Sequence, residues 1–154
     1  MLTVWRIVKA IYAGQAFDGE GARLTGGRWN SPGIKMVYTA DSHALATLEL
    51  LVQLGNPTRL PKFVWISAIC DESLVTPVDL ASLPANWRSY PAPPGLQLLG
   101  DQWIRSGSSL LLRVPSVLAE QSNYLINPDH PDFSKLSISS AKPFEFDMRL
   151  YNKK

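Results

Sequence analysis

Between Thr3 and Lys9 the chain reads TVWRIVK, an apolar run broken only by Arg6. Val4 and Val8 fall on one face and Trp5 and Ile7 on the other, the period of two that predicts a strand. Two further strands are predicted over Lys35–Ala40 (KMVYTA) and Phe63–Ile69 (FVWISAI), the latter rich in β-branched and aromatic residues. Leu110–Val114 predicts another, stopped by Pro115. Phe144, Phe146, Met148 and Leu150 alternate with Glu145, Asp147 and Arg149, predicting a half-buried closing strand over Phe144–Leu150. Helical signals occur at His43–Leu54, where Asp41 and Ser42 offer N-caps and Gly55 and Pro57 a stop, and at Leu96–Ser106. Phe17–Pro32 reads as a loop because it holds Gly19, Gly21, Gly26 and Gly27. Pro84–Gly95 is proline-rich, yet it carries Trp87 and Tyr90, which predicts an ordered surface loop and not a linker. Strands outnumber helices and irregular loops join them, so the expected fold is α+β, as one domain over residues 1–154.

The first predicted helix carries the most informative charge. From Asp41 to Arg59 the only formal charge is Glu49, set among Ala44, Leu45, Ala46, Leu48, Leu50, Leu51, Val52 and Leu54. Apolar residues cover nearly the whole circumference, so this helix is expected to be largely buried. A carboxylate beside the Leu45–Leu48–Val52 stripe then requires a cationic or hydrogen-bonding partner, or its pKa rises. Its alternatives are a functional carboxylate facing a cleft or an edge position facing water.

Composition narrows the class. The 154 residues are 45% hydrophobic and 18% charged, which excludes intrinsic disorder. The net charge of +2 gives no electrostatic footprint for nonspecific nucleic-acid binding. Cys70 alone cannot form a disulfide framework, and with only His43 and His130 it cannot complete an ordinary zinc cluster, so no metal is expected. Arg6 and Lys9 interrupt the N-terminal apolar stretch, and no window suits a membrane span; a cytoplasmic chain is expected.

Four features carry candidate chemistry. GGRWN, Gly26–Asn30, combines glycines that permit close backbone approach to a ligand, the donor fork of Arg28 and the flat surface of Trp29. Arg6 is a lone cation in an apolar strand, and Tyr38 an aromatic in a short one. Ser116 follows Pro115 at a strand end, where a side chain can be fixed and exposed. Asn123 and Asn127 are amides in a stretch read as nonperiodic loop, and His130, between Asp129 and Pro131, reads as a turn residue. No G-x-S-x-G elbow surrounds Ser116, and no Walker loop or G-x-G-x-x-G follows a strand.

Taken in order, WRI (Arg6), GGRWNSPG (Arg28), MVYTADSHALATLELL (Tyr38, Glu49) and LLRVPSVLAEQSNYLINPDHPDF (Ser116, Asn127) resemble the RES domain family, the toxins of bacterial RES–Xre toxin–antitoxin pairs. The resemblance runs from about residue 4 to the C-terminus. The segment GIKMVYTADSHALA is also similar to the nicotinamide-pocket segment of diphtheria-type ADP-ribosyltransferases, whose site uses a His, a Tyr and a Glu; here an arginine, Arg6 or Arg28, stands in the first place.

This resemblance implies an ADP-ribosyltransferase-like fold of mixed sheets around an NAD cleft. It implies Glu49, Arg28 and Tyr38 as catalytic residues, and Arg6, Arg28, Trp29, Tyr38, Ser116 and Asn127 as NAD contacts. Arg6 and Arg28 would neutralise the pyrophosphate and Tyr38 would stack on nicotinamide. Glu49 would stabilise the charge that develops as the glycosidic bond breaks, and Ser116 would position the ribose or diphosphate. NAD enters as substrate and no metal is implied. The implied partner is an Xre-like helix-turn-helix antitoxin covering the cleft, with a possible homodimer inside that complex and no direct contact with nucleic acid or membrane. NAD cleavage to water or phosphate is the expected activity. Protein ADP-ribosylation and non-catalytic NAD or ADP-ribose binding are the alternatives, beside an interaction domain with a structural Arg–Glu pair.

Overall fold

The computed structural model describes residues 1–55 and 57–151. Strand β1 (Leu2–Lys9) lies antiparallel to β3 (Phe63–Cys70) in unbroken register, from Leu2 opposite Cys70 to Lys9 opposite Phe63. Its other neighbour, β2 (Val37–Ala40), meets it only where Trp5 faces Ala40. β2 then pairs along its whole length with β6 (Ser122–Ile126), and β6 with β5 (Leu111–Pro115). β4 (Val75–Pro77) adds a parallel edge to β5, while β7 (Ser137–Ile138) and β8 (Lys142–Phe144) both pair with β3. Among the described residues the sheet order is β4-β5-β6-β2-β1-β3-β7. This mixed sheet with few helices is the expected α+β class.

Side chains alternate across this sheet, and each face has its own core. One face gathers Val4, Val37, Ile66, Ala68, Leu111 and Ile126 with Phe17 and Leu136. The other carries two helices. Helix α3 (Pro94–Ser106) buries Leu96 and Trp103 against Leu112, Val114 and Leu125, and α2 (His43–Leu54) buries Leu45 and Ala46 against Ala40, Trp5 and Ile7. Each fully buried Leu contributes roughly 1.5–3 kcal/mol relative to exposure. The α2 boundaries are the expected ones: the Ser42 hydroxyl accepts from Leu45 N at 3.0 Å, and Gly55 (φ +61°) ends the helix. No helix among the described residues is long and apolar enough to cross a membrane.

Four expectations are corrected. Helix α2 is not largely buried: Leu48 is 43% and Val52 63% exposed, because only one face of the helix meets the β1–β2 part of the sheet. The Phe17–Pro32 stretch is not all loop, since it contains α1 (Glu20–Thr25); Gly19 (φ +77°) and Gly26 (φ +71°) bound that helix. The expected strand over Phe144–Leu150 ends at Phe144. Phe144 and Phe146 find aromatic partners, but Asp147 then accepts from Arg149 N at 2.9 Å and starts one helical turn, α4 (Met148–Tyr151), with Met148 and Leu150 exposed. Finally, Asn123 lies within β6 and not in a loop.

Candidate active site

The single meeting point of β1 and β2 leaves a seam in the sheet, and a cavity of about 110 Å³ sits on it. Trp5, Arg6 and Ile7 come from β1, Tyr38 and Ala40 from β2, Glu49 and Gln53 from α2, and Asn123 from β6. Three of the expected site residues, Arg6, Tyr38 and Glu49, therefore share one cavity.

Arg6 stitches the seam. Its Nε donates to Ala16 O at 2.7 Å and its Nη1 to Tyr38 O at 2.8 Å, so a guanidinium replaces the strand amide that would otherwise satisfy that carbonyl. Two of the five N–H donors of the side chain are thus used. Desolvation pushes its pKa down to about 10, with Asp18 pulling the other way. The group stays charged at neutral pH, and holding it out of water favours an anion nearby.

Tyr38 is held by its hydroxyl. It donates to Asn30 Oδ1 at 2.6 Å and accepts from Trp29 N at 3.0 Å. Burial pushes its pKa up, against the hydrogen bond from Trp29. The GGRWN loop is built around this contact. A Cβ at Gly27 would stand 2.6 Å from the Tyr38 hydroxyl, so this glycine admits a tyrosine and not, as expected, a ligand. Asn30 is buried and donates through Nδ2 to Ala22 O (2.8 Å) and Ile34 O (2.9 Å). From α3, Gln97 donates to Gly27 O, and Asp101 accepts from Ser31 N and Oγ. The Tyr38 ring is thereby fixed on the cavity wall.

Glu49 is half-buried, and its Oε1 accepts from Asn123 Nδ2 at 3.0 Å. This supplies the hydrogen-bonding partner expected for the carboxylate. Of the two placements expected, facing a cleft or facing water, Glu49 takes one that lines the cavity.

The other expected contacts lie elsewhere. Arg28 donates from Nη1 to Trp87 O (2.9 Å) and Ser89 O (3.2 Å), tying the proline-rich loop down beside the GGRWN turn. Trp29 is 2% exposed, its indole packed among Met36, Leu96 and Trp103. Ser116 is buried, not exposed as expected; its Oγ accepts from Leu118 N. It lines a larger cavity of about 440 Å³ with Arg88 and Arg113, and that cavity contains none of Arg6, Tyr38 and Glu49. Asn127 is buried and accepts from Asp129 N, shaping the turn that His130 continues. Sequence reasoning gave no role to Asn123 or Gln53. The signal for Asn123 was a polar side chain two residues from the apolar pair Leu125 and Ile126, but only the β6 register shows where it points.

Comparison with known proteins shows the class. The model of the RES domain matches residues 3–147, and the chain belongs to that family. It is 38% identical over 97% of its length to "Toxin Res" of Yersinia enterocolitica, covering 99% of that protein. It is also 38% identical to the "Prs ADP-ribosylating toxin" of a Sphingobium species, over 97% of this chain and 96% of that one. Among solved structures, the M. tuberculosis MbcT–MbcA toxin–antitoxin complex contains a chain that superposes with a TM-score of 0.77 at 18% identity, covering 93% of this chain and 84% of that one. The last likeness concerns the fold alone.

Proposed function

We propose that this RES-family chain is the toxin of a toxin–antitoxin pair that cleaves the nicotinamide–ribose bond of NAD. The observation that carries the reading is the convergence of Arg6, Tyr38 and Glu49 on one cavity at the sheet seam. NAD presents an anionic pyrophosphate, a flat cationic leaving group and a ribose that gains positive charge as the bond breaks. Arg6 answers the first, the Tyr38 ring the second and Glu49 the third. Glu49 acts by electrostatics and hydrogen bonding to ribose, so one carboxylate suffices where glycosidases use two. Arg28 works from the neighbouring loop on the diphosphate, through donors not held by the Trp87 and Ser89 carbonyls. The cavity is smaller than the ~300–1,000 Å³ of typical ligand pockets. It receives one end of the dinucleotide, and the remainder lies across its mouth.

A second reading, transfer of ADP-ribose to a protein, is supported by the Sphingobium relative, whose name states that activity. The proposed partner is an antitoxin, of the Xre class that the RES resemblance implies; a chain of like fold occurs in a toxin–antitoxin complex. Leu48 and Val52, exposed on α2 close to the cavity-lining Leu50 and Gln53, offer it an apolar foothold over the cleft. The site of action is the bacterial cytoplasm, where NAD is present.

The test is product analysis after incubation with NAD, with and without phosphate and with a cell extract. Free ADP-ribose identifies hydrolysis, its phosphate adduct identifies phosphorolysis, and labelled protein identifies transfer. Absence of nicotinamide release under every condition overturns the enzyme reading in favour of a binding module.

A further inference from the structure

Every side chain that helix α2 buries lies in its first turn: Leu45 and Ala46, packed against Ala40, Trp5 and Ile7. Ser42, at the start of the helix, also donates through Oγ to Gln121 Oε1 at 2.9 Å. From Glu49 onward no residue of the helix is fully buried, and Val52 and Gln53 are exposed. Glu49 therefore stands past the part of α2 that the sheet grips. The bond from Asn123 holds its carboxylate tip, and the far end of the helix needs another hold.

The C-terminal segment supplies it. β8 sets Phe144 opposite Phe63, at the start of β3. The Phe144 ring packs on His43, the first residue of α2, with centroids 5.6 Å apart. Trp5 and Trp65 meet the same imidazole edge-on, at 5.7 and 5.6 Å. Phe146 follows, edge-on to Phe144 and Phe63. α4 then carries Tyr151, whose hydroxyl donates to Pro57 O at 2.6 Å. Pro57 lies just past Leu54, the last residue of α2. Phe144–Tyr151 thus touches the helix at its first residue and the chain just beyond its last. Tyr151 stands outside the residues that the RES model matches, so this tie belongs to the chain's own C-terminal turn.

We propose that Phe144–Tyr151 is a strap that sets where α2 lies over the seam, and that Tyr151 is a positioning residue for Glu49. The rate it controls rests on the NAD reading above; the hold on the helix does not. Arg6 and Tyr38 stand on strands β1 and β2, and of the three only Glu49 stands on a helix. The gap between the carboxylate and the other two groups is therefore a helix-to-sheet distance. A carboxylate that stabilises developing charge must sit close to it, and a displacement of ~1 Å can cost up to ~10²-fold in rate. Loosening the far end of α2 changes that distance and leaves the two strand-borne groups in place. Losing the strap should then lower kcat and spare KM.

The experiment is Tyr151→Phe, which removes one hydroxyl and keeps the half-buried ring. kcat for nicotinamide release should fall by about three- to tenfold, with KM for NAD within about twofold of wild type. Backbone amides of Leu50–Leu54 should exchange with deuterium faster, while those of the β1–β3 ladder keep their wild-type rates. In a Glu49→Gln background the same substitution should cost no further rate, because it acts through that carboxylate. Additive losses overturn that route, and a raised KM with kcat intact places Tyr151 in ligand binding instead. Unchanged kcat overturns the positioning role even where exchange quickens. So does a lower melting temperature with full activity per folded molecule, the mark of a merely structural contact. If wild type releases no nicotinamide, the NAD reading falls by itself. The strap is then decided by exchange alone: faster exchange confined to Leu50–Leu54 supports it, and wild-type rates there overturn it.

Discussion

Strand β1 treats its two neighbours differently. Toward β3 every residue from Leu2 to Lys9 has a partner in register, and buried Ile66 stands opposite Arg6. Toward β2 there is one opposed pair, Trp5 with Ala40, and a side chain, Arg6, does the bridging. The ladder places its free energy in backbone pairing and apolar burial. The seam gives up strand pairing and gains a cavity lined by a cation, a phenol, a carboxylate and an amide. Substitutions on the two sides should therefore separate stability from activity.

The largest effect is expected at the seam. Glu49→Gln should lower nicotinamide release by about 10²–10³-fold, the scale seen when a transition-state-stabilising group is lost. The melting temperature should stay near wild type, because the amide oxygen still accepts from Asn123; unfolding would instead support a structural role. On the ladder, Ile66→Ala should cost about 2–5 kcal/mol in denaturant melts. Its specific activity per folded molecule should be unchanged, and a fall in kcat would show that the two sides are not separable. Arg6→Met should do both, leaving Ala16 O and Tyr38 O without their donor. About 1–3 kcal/mol of stability is expected to go, along with a higher KM for NAD; an unchanged KM would remove Arg6 from the binding site. Smallest, Gly27→Ala should cost about 1–3 kcal/mol through its clash with the Tyr38 hydroxyl. Adding Tyr38→Phe should recover part of that loss, and strict additivity in the double-mutant cycle would refute the contact.

What could be read from the chain follows the same division. Local signals placed β1 and α2 well, because alternation and the Ser42 and Gly55 caps are properties of neighbouring residues. Those signals failed at the C-terminus, where Phe144–Leu150 alternates but only its first half reaches apolar partners. They also failed in reading burial on α2, since an apolar sequence does not say how much sheet lies beneath it. Arg6, Tyr38 and Glu49 stood out as candidates, yet their meeting depends on β2 and β1 becoming neighbours without zipping together. That is a property of strand order, and no local pattern encodes it. The glycines of GGRWN were visible, but their reason, the Tyr38 hydroxyl packed against Gly27, spans eleven residues of sequence and appears only in three dimensions.

The one-pair junction between β1 and β2 also sets a timetable for the molecule's breathing. Amide protons on the β1–β3 ladder are locked by a long run of partners and should exchange with deuterium only on global unfolding. Those of Tyr38 to Ala40 that face β1 lack such a run, so the sheet should part there first, between two halves that each keep their own pairing. The line where the sheet should part first is also the one that carries the cavity of Arg6, Tyr38 and Glu49.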